Sequence, residues 1–364
     1  MPSQLCITSP WDGDILTRHD GEETADGLRL VVEGRCDGGP VTVNGVAAEV
    51  GPADADGPTF RAAITLPPAP RRQAIVAQAG GRQAAATVTY LARSRPRFRF
   101  SVDDNVQFLA DLARDPAAYP SLFDHWYLAF WRRMHETYGA KIHINIYYQT
   151  PEGFRLPELP DRWRDEWRAA SSWLHHTFHA LQDKPDRIYR YATAAQIAAD
   201  YELVTEEIKR FAGPELLSQV TTVHWAEAPR EAVRALHGRG LNGFIGIFAS
   251  DNGRPTTAYY LTEEQAVHVA QRDAWEDTTE GVVFIECDLV VNSVPLAQVV
   301  PHLEAVAASP QRSEMMELLI HEQYFRQELM YHQPDVMQKV EAALGWVTER
   351  GYEPVFWGDG FLGM

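Results

Sequence analysis

Two adjacent aspartates, Asp103 and Asp104, close the segment Phe98-Arg-Phe-Ser-Val-Asp-Asp-Asn105. Neighbouring carboxylates at the carboxyl end of a strand suit two tasks, holding a divalent ion and taking a proton from water. An isolated Asp-Asp pair is more often a solvated turn. Here it has company. Later strand patterns end at His143 to Tyr148, His179, His224-Trp225, Asp288 and His321-Glu322. Histidines recurring at strand ends beside two aspartates favour a convergent site.

The elements that must position these groups alternate. A helical stretch from Val106 to Tyr138, broken near Pro116 and Pro120, precedes a strand over Lys141–Tyr148. Helix over Asp161–Ser171, strand over Leu174–His179, helix over Ala194–Phe211 and strand over Gln219–His224 follow. Then come helix Arg230–Leu236, strand Phe244–Phe248 and a polar excursion over 251–280 that reads as a hairpin or lid. Strand Val282–Glu286, helix Leu296–Ala307, strand Leu318–Ile320, helix Asp335–Arg350 and strand Pro354–Trp357 complete the series. Seven or eight strands alternating with helices predict an α/β fold, an irregular (β/α)7–8 barrel over residues 94–364. In such a barrel chemistry collects at the carboxyl ends of the strands.

Residues 1–93 carry short strand patterns instead: Leu28–Val32, Val41–Val43, Phe60–Leu66, Ala74–Ala77 and Ala84–Tyr90. Asn44-Gly45 between Val43 and Val46 is a tight hairpin signal. The spacing predicts an all-β sandwich. Ala92-Arg-Ser-Arg-Pro-Arg97, basic and interrupted by proline, reads as the linker.

The chain's 364 residues allow two domains. A net charge of -17 argues against phosphate-backbone contacts and against an anionic membrane surface, so neither nucleic acid nor membrane is an expected partner. Cys6, Cys36 and Cys287 are odd in number and far apart, with no zinc-ribbon spacing. No apolar run approaches membrane-spanning length. Without a basic start and apolar core at the N-terminus, a cytoplasmic location is the expectation, or a secreted one if a leader has been removed. The Trp-rich stretch from Trp126 to Trp131 offers a surface for a homo-oligomer.

At this point the chain resembles the polysaccharide deacetylases of the NodB-homology type, carbohydrate esterase family 4, over about residues 98–357. Ser-Val-Asp103-Asp104-Asn matches that family's opening motif without its following glycine. The resemblance implies Asp103 as general base and Asp104 as ligand to a divalent metal, zinc above all. The family's second motif has two metal-binding histidines four residues apart, a spacing that His175-His-Thr-Phe-His179 reproduces. An extended segment would hold those two roughly 13 Å apart, too far for one ion. If the strand ends at His179, that residue takes the first position and Asp183 the second. Leu318-Leu-Ile-His321 resembles the family's closing motif and implies His321 as general acid. The family's supporting arginine is missing: the corresponding strand ends Val-His224-Trp225-Ala-Glu227. The N-terminal stretch Pro40 to Val46 with Phe60 to Leu66 and Ala74 to Ala77 resembles immunoglobulin-like modules attached to carbohydrate-active enzymes.

The resemblance implies a metal-dependent deacylase acting on a sugar or oligosaccharide. Asp104, His179 and either His175 or Asp183 would hold the ion, with Asp103 as base and His321 as acid. His224, Trp225, Glu322, Tyr324, Tyr148 and Trp357 are candidates for contacting the carbohydrate, the aromatics (Tyr147 among them) by stacking. Two alternatives stand beside this. One is a metal-independent glycoside hydrolase pairing Asp103 with Glu227, Glu322 or Asp288, which needs two carboxyls at about 5 Å or about 6.5–9.5 Å. The other is a non-catalytic carbohydrate-binding protein.

Overall fold

The computed structural model describes residues 5–54, 57–248 and 258–364. The chain divides into two compact units, residues 1–94 with 274–283, and residues 95–273 with 284–364. The first unit thus also takes in a short hairpin segment from far along the chain, which nothing in residues 1–93 announces.

In the first unit two five-stranded sheets share one apolar core. Gly27–Arg35 pairs antiparallel with Gly57–Leu66, and Arg72–Ala79 with Arg82–Tyr90. Alternating burial along Gly27–Arg35 and Gly57–Leu66 turns Leu28, Leu30, Val32, Phe60, Ile64 and Leu66 inward, as a half-buried strand requires. The Asn44-Gly45 turn forms where its sequence places it, both residues at positive φ (48° and 82°), joining Thr42–Val43 to Val46–Ala47.

The second unit is built on parallel strands. Leu174–Ala180, Ile142–Tyr147, Arg97–Asn105, Met315–His321 and Leu289–Val290 adjoin in that order, with Glu353–Pro354 also against Arg97–Asn105. A second run continues Val220–Thr221, Gly243–Gly246 and Val282–Glu286. Two links join the runs: a parallel bridge from His176 to Leu217, and the chain over 286–289, where Cys287 N–H donates to Gly246 and Asp288 N–H to Glu317.

Arg97–Asn105 is buried on both sides, as a central parallel strand should be. Its composition still alternates. Phe98, Phe100 and Val102 take one face; Arg99, Ser101 and Asp103 take the other. The polar face looks onto groups from neighbouring strands, since Arg99 and Ser101 both bond Glu317, and Arg99 also meets His143. Trp357 donates its indole N–H to the same Glu317 at 2.8 Å. These bonds tie the polar face of Arg97–Asn105 to both neighbouring strands, although Arg99 Nε and His143 Nε2 keep no hydrogen-bond partner among the described residues.

Several expectations change here. The strand at 219–224 is only Val220–Thr221, because the chain turns at His224–Ala226. The excursion contains a helix, Glu263–Arg272, opened by a Thr262/Gln265 capping box; residues 251–257 of the expected hairpin or lid lie outside the described residues. Trp131 is core, which leaves Trp126 as the exposed member of the Trp-rich stretch.

Candidate metal centre and active site

Consecutive residues in a regular strand point to opposite faces, so Asp103 and Asp104 could not both serve one site without a break. The break is present. Asp104 adopts φ 61°, and the register of Arg97–Asn105 against Ile142–Tyr147 slips between Val102 and Asn105. Asp is among the side chains that tolerate this left-handed conformation. Asn105 secures the turn, donating to the carbonyls of Val102 (2.6 Å), Asp103 (3.1 Å) and Asn145 (3.2 Å).

Asp104 Oδ1 lies 3.0 Å from His179 Nε2 and 3.4 Å from His224 Nδ1, and those two nitrogens are 3.2 Å apart. Each histidine is anchored through its other nitrogen. His179 Nδ1 sits 2.5 Å from the Thr222 carbonyl, and His224 Nε2 sits 3.2 Å from that of Asp183. A carbonyl only accepts, so both anchoring nitrogens carry the proton, and the lone pairs of the other two face Asp104. Three acceptors within 3.4 Å of one another form a set that could hold a metal ion.

The fit to a metal is good. Four donors placed tetrahedrally at about 2.0–2.1 Å from zinc stand about 3.3 Å apart, close to the three separations found. The imidazole–carbonyl contacts are of the kind that orient metal-bound histidines. Without an ion, a proton on His179 takes its place. Burial alone would lower that histidine's pKa, but Asp103, Asp104 and the Thr222 carbonyl outweigh burial and raise it. Asp104 shows the converse: burial would raise it, yet hydrogen bonds with His179 and His224 and the nearby His321 hold it well below the usual carboxylate range.

Asp103 is buried beside this cluster and pairs in register with His321 on the adjacent strand. Burial pushes its pKa up, against the opposing pull of His179, His321 and the Asn145 amide that donates to it. His321 Nδ1 is 3.0 Å from Asn292 Oδ1, which fixes the ring with Nδ1 as donor and leaves Nε2 as the exchangeable nitrogen. A carboxylate and an imidazole paired on adjacent strand ends, beside three convergent acceptors, could serve as base and acid in a hydrolysis.

Other expected residues fall elsewhere. His175 is not with His179: it begins the strand that His179 nearly ends, stacked on Phe356 at 3.7 Å between ring centroids. Asp183 stands behind His224, its carboxylate 3.7 Å from Nε2, and so touches the histidine's outer nitrogen instead of the cluster. His224, expected to contact substrate, supplies the third converging atom instead. Glu322 is also reassigned. Fully buried, it accepts from the N–H groups of Val106, Gln107 and Phe108 at 2.7–2.9 Å, capping the helix Gln107–Arg114, whose own first turn has no acidic residue. Trp357 is core, bound to Glu317. Tyr148 is half-buried, its N–H held by the carbonyls of Ala180 and Leu181.

Trp225 and Tyr324 stay near the site. Trp225, exposed and at φ 66°, follows His224 directly and lies under the Arg187 guanidinium at 5.2 Å. Tyr324 has its ring centroid 6.0 Å from His321. Of the carboxylates considered for a metal-free pair, Glu227 bonds Arg187 at 2.9 Å and Asp288 bonds Arg312 at 3.0 Å, while Glu322 caps its helix.

Two residues, Gln323 and Asn145, escaped sequence reasoning as parts of the site, and Tyr147, expected to stack on a sugar, bonds the converging atoms instead. Gln323 donates to Asp104 Oδ2 at 2.7 Å, Asn145 holds Asp103, and the Tyr147 hydroxyl lies 2.5 Å from Asp104 Oδ1 and 2.8 Å from His224 Nδ1. Strand alternation carried a signal for two of them: His143, Asn145 and Tyr147 share one face of their strand, and the last two stand nearest its carboxyl end.

No family model matches the chain. No curated protein matches it either. Among solved structures it is similar to a proposed alpha-galactosidase/melibiase from Bacteroides fragilis, at 10% identity over 66% of this chain and 56% of that one, with a TM-score of 0.17. So low a score bears on neither fold nor activity.

Proposed function

We propose that the protein is a metal-dependent deacylase, hydrolysing an acyl group on a sugar derivative. The observation that carries this reading is the meeting of Asp104, His179 and His224 within 3.4 Å, with Asp103 and His321 paired in register beside them. Two links between the strand runs, His176 to Leu217 and residues 286–289, support a closed irregular barrel, and two sheets around one core support an immunoglobulin-like sandwich.

The three converging atoms would hold the ion, zinc or another divalent metal. When bound, such an ion supplies positive charge that polarises an acyl oxygen and acidifies water. Asp103 then takes the proton of the attacking water, and its raised pKa brings it nearer the range where a carboxylate is an effective base. Asn145 holds that carboxylate in place. His321, oriented by Asn292, delivers a proton from Nε2 to the departing amine or alcohol. Trp225 and Tyr324 offer aromatic faces to a sugar ring. The carbohydrate assignment rests on those faces and on the motif resemblance.

The test is acetate release from acetylated oligosaccharides by zinc-loaded protein, beside Asp103→Asn. Turnover in the parent that drops by roughly 10²–10⁴ in a variant still binding its metal supports the reading. Equal turnover in both proteins would remove Asp103 from the chemistry.

A further inference from the structure

The two oxygens of Asp104 have different surroundings. Oδ1 faces His179 Nε2 and His224 Nδ1 and accepts from the Tyr147 hydroxyl. Oδ2 accepts from the side-chain amide of Gln323 at 2.7 Å. An ionised carboxylate only accepts, so the Gln323 nitrogen must be the atom that faces it. That orientation leaves Gln323 Oε1 buried with no hydrogen-bond partner among the described residues. A buried carbonyl without a partner is destabilising, so stability alone is a poor reason for a glutamine at this position. Its seat is nevertheless fixed. Gln323 lies in the short turn Glu322–Phe325 directly after His321. The neighbouring Glu322 accepts from the N–H groups of Val106, Gln107 and Phe108, just beyond Asp104. Two consecutive side chains thus tie this turn to the end of the Asp104 strand.

We propose that Gln323 is a positioning residue: by engaging Asp104 Oδ2 it makes Asp104 a one-oxygen ligand and keeps a coordination position free for water or the acyl oxygen. This rests on the metal centre proposed above. A carboxylate can offer a cation one oxygen or both. Three protein donors leave a tetrahedral ion a fourth position, the arrangement of catalytic zinc sites. With Oδ2 unengaged, a small rotation of the Asp104 carboxylate would bring its second oxygen to the ion and crowd that position. The Gln323 N–H opposes the rotation without adding charge. Because the same turn follows His321, one segment sets both the metal-facing oxygen and the proposed acid.

The test loads the full-length protein with Co²⁺, whose visible absorption is intense in four-coordinate sites and weak in five- or six-coordinate ones. Zn²⁺ affinity is read in parallel by chelator competition. Gln323→Leu and Gln323→Ala both remove the donor, the first keeping bulk and the second avoiding any clash. Gln333→Leu is the control, since Gln333 bonds the Asn292 carbonyl and Lys339 beside the same turn. The proposal expects an intense spectrum in the parent and in Gln333→Leu, and a severalfold weaker one in both Gln323 variants. Zn²⁺ affinity in those variants should fall by less than the roughly 10- to 100-fold usual for a lost outer partner, because the second oxygen compensates. A weak spectrum in the parent, an unchanged one in the Gln323 variants, an equal drop in Gln333→Leu, or variants that no longer bind metal would each overturn the positioning role and leave the three-residue centre standing. Failure of the parent protein to bind either ion overturns both.

Discussion

The sharpest consequence of the proposed metal centre is that His224, and not His175 or Asp183, supplies its third protein ligand. Zinc binding at structural sites releases about 10–16 kcal/mol, or roughly 2.5–4 kcal/mol for each of four donors. Removing one donor should therefore weaken Zn²⁺ binding by roughly 100- to 1,000-fold. His224→Ala is expected to show that loss. His175→Ala should leave affinity within a few-fold of the parent, because its ring stacks on Phe356 at the far end of the strand. Asp183→Ala should fall between, since the backbone carbonyl that holds His224 Nε2 at 3.2 Å survives the substitution. The assay is competition with a chromophoric chelator at fixed pH, with circular dichroism to verify the fold of each variant. A His224→Ala protein that binds zinc like its parent, or a His175→Ala protein that loses it, refutes the assignment.

Other outcomes follow from the same contacts. Glu322→Ala should lower stability in urea by about 3 kcal/mol, through three lost N–H bonds and the lost ion pair with Arg326, while leaving zinc affinity intact; unchanged stability would contradict the capping role. Burial raises the carboxyls of Glu317 and Glu322 from 4.5 to about 7. Both bind protons more tightly folded than unfolded, so the stability they contribute is complete below about 4.5 and is lost as pH rises through about 7. Urea titrations of metal-free protein across that window should show the decline, with a shallower slope in Glu322→Gln; a flat profile in the parent would count against it. Asn145→Ala should lower turnover more than zinc affinity, because it frees Asp103 without touching the three metal-facing atoms. Matched losses in both would place Asn145 in the metal's support instead.

Much of the fold could be read from periodicity. The helices Ala194–Phe211 and Leu296–Ala307 and the strand Val282–Glu286 stand where their patterns place them. Long amphipathic helices and short apolar strands state their identity within one window of residues. The helix Glu263–Arg272 was overlooked because polar residues dominate it, although Thr262 and Gln265 spelled out its start. The site was legible in part. Asp103, Asp104, His179 and His321 each lie at a strand end, and a strand end is a local property. His224 owes its place to left-handed backbone at Trp225 and Ala226 (φ 66° and 48°), conformations that a tryptophan and an alanine do not advertise. Glu322 and Gln323 looked like site residues or went unnoticed for the same reason: only the fold brings them to Val106 and Asp104.

Where backbone strain falls is itself informative. Non-glycine residues at positive φ cost of order 1–3 kcal/mol and persist only where the surroundings over-determine them. Of nine such residues among those described, three belong to the proposed metal centre: Asp104 itself, and Trp225 and Ala226 directly after His224. Both turns are heavily secured: Asn105 ties down the first with three hydrogen bonds. At the second, Tyr259 accepts from Val223 N–H at 3.2 Å while donating to the Ile245 carbonyl at 2.8 Å. A glycine after the histidine would relieve that strain at little cost, yet the chain keeps an exposed tryptophan there. If Trp225 served only the turn, glycine would serve better. Its exposed ring, under Arg187 and next to a converging histidine, fits a surface kept for a ligand.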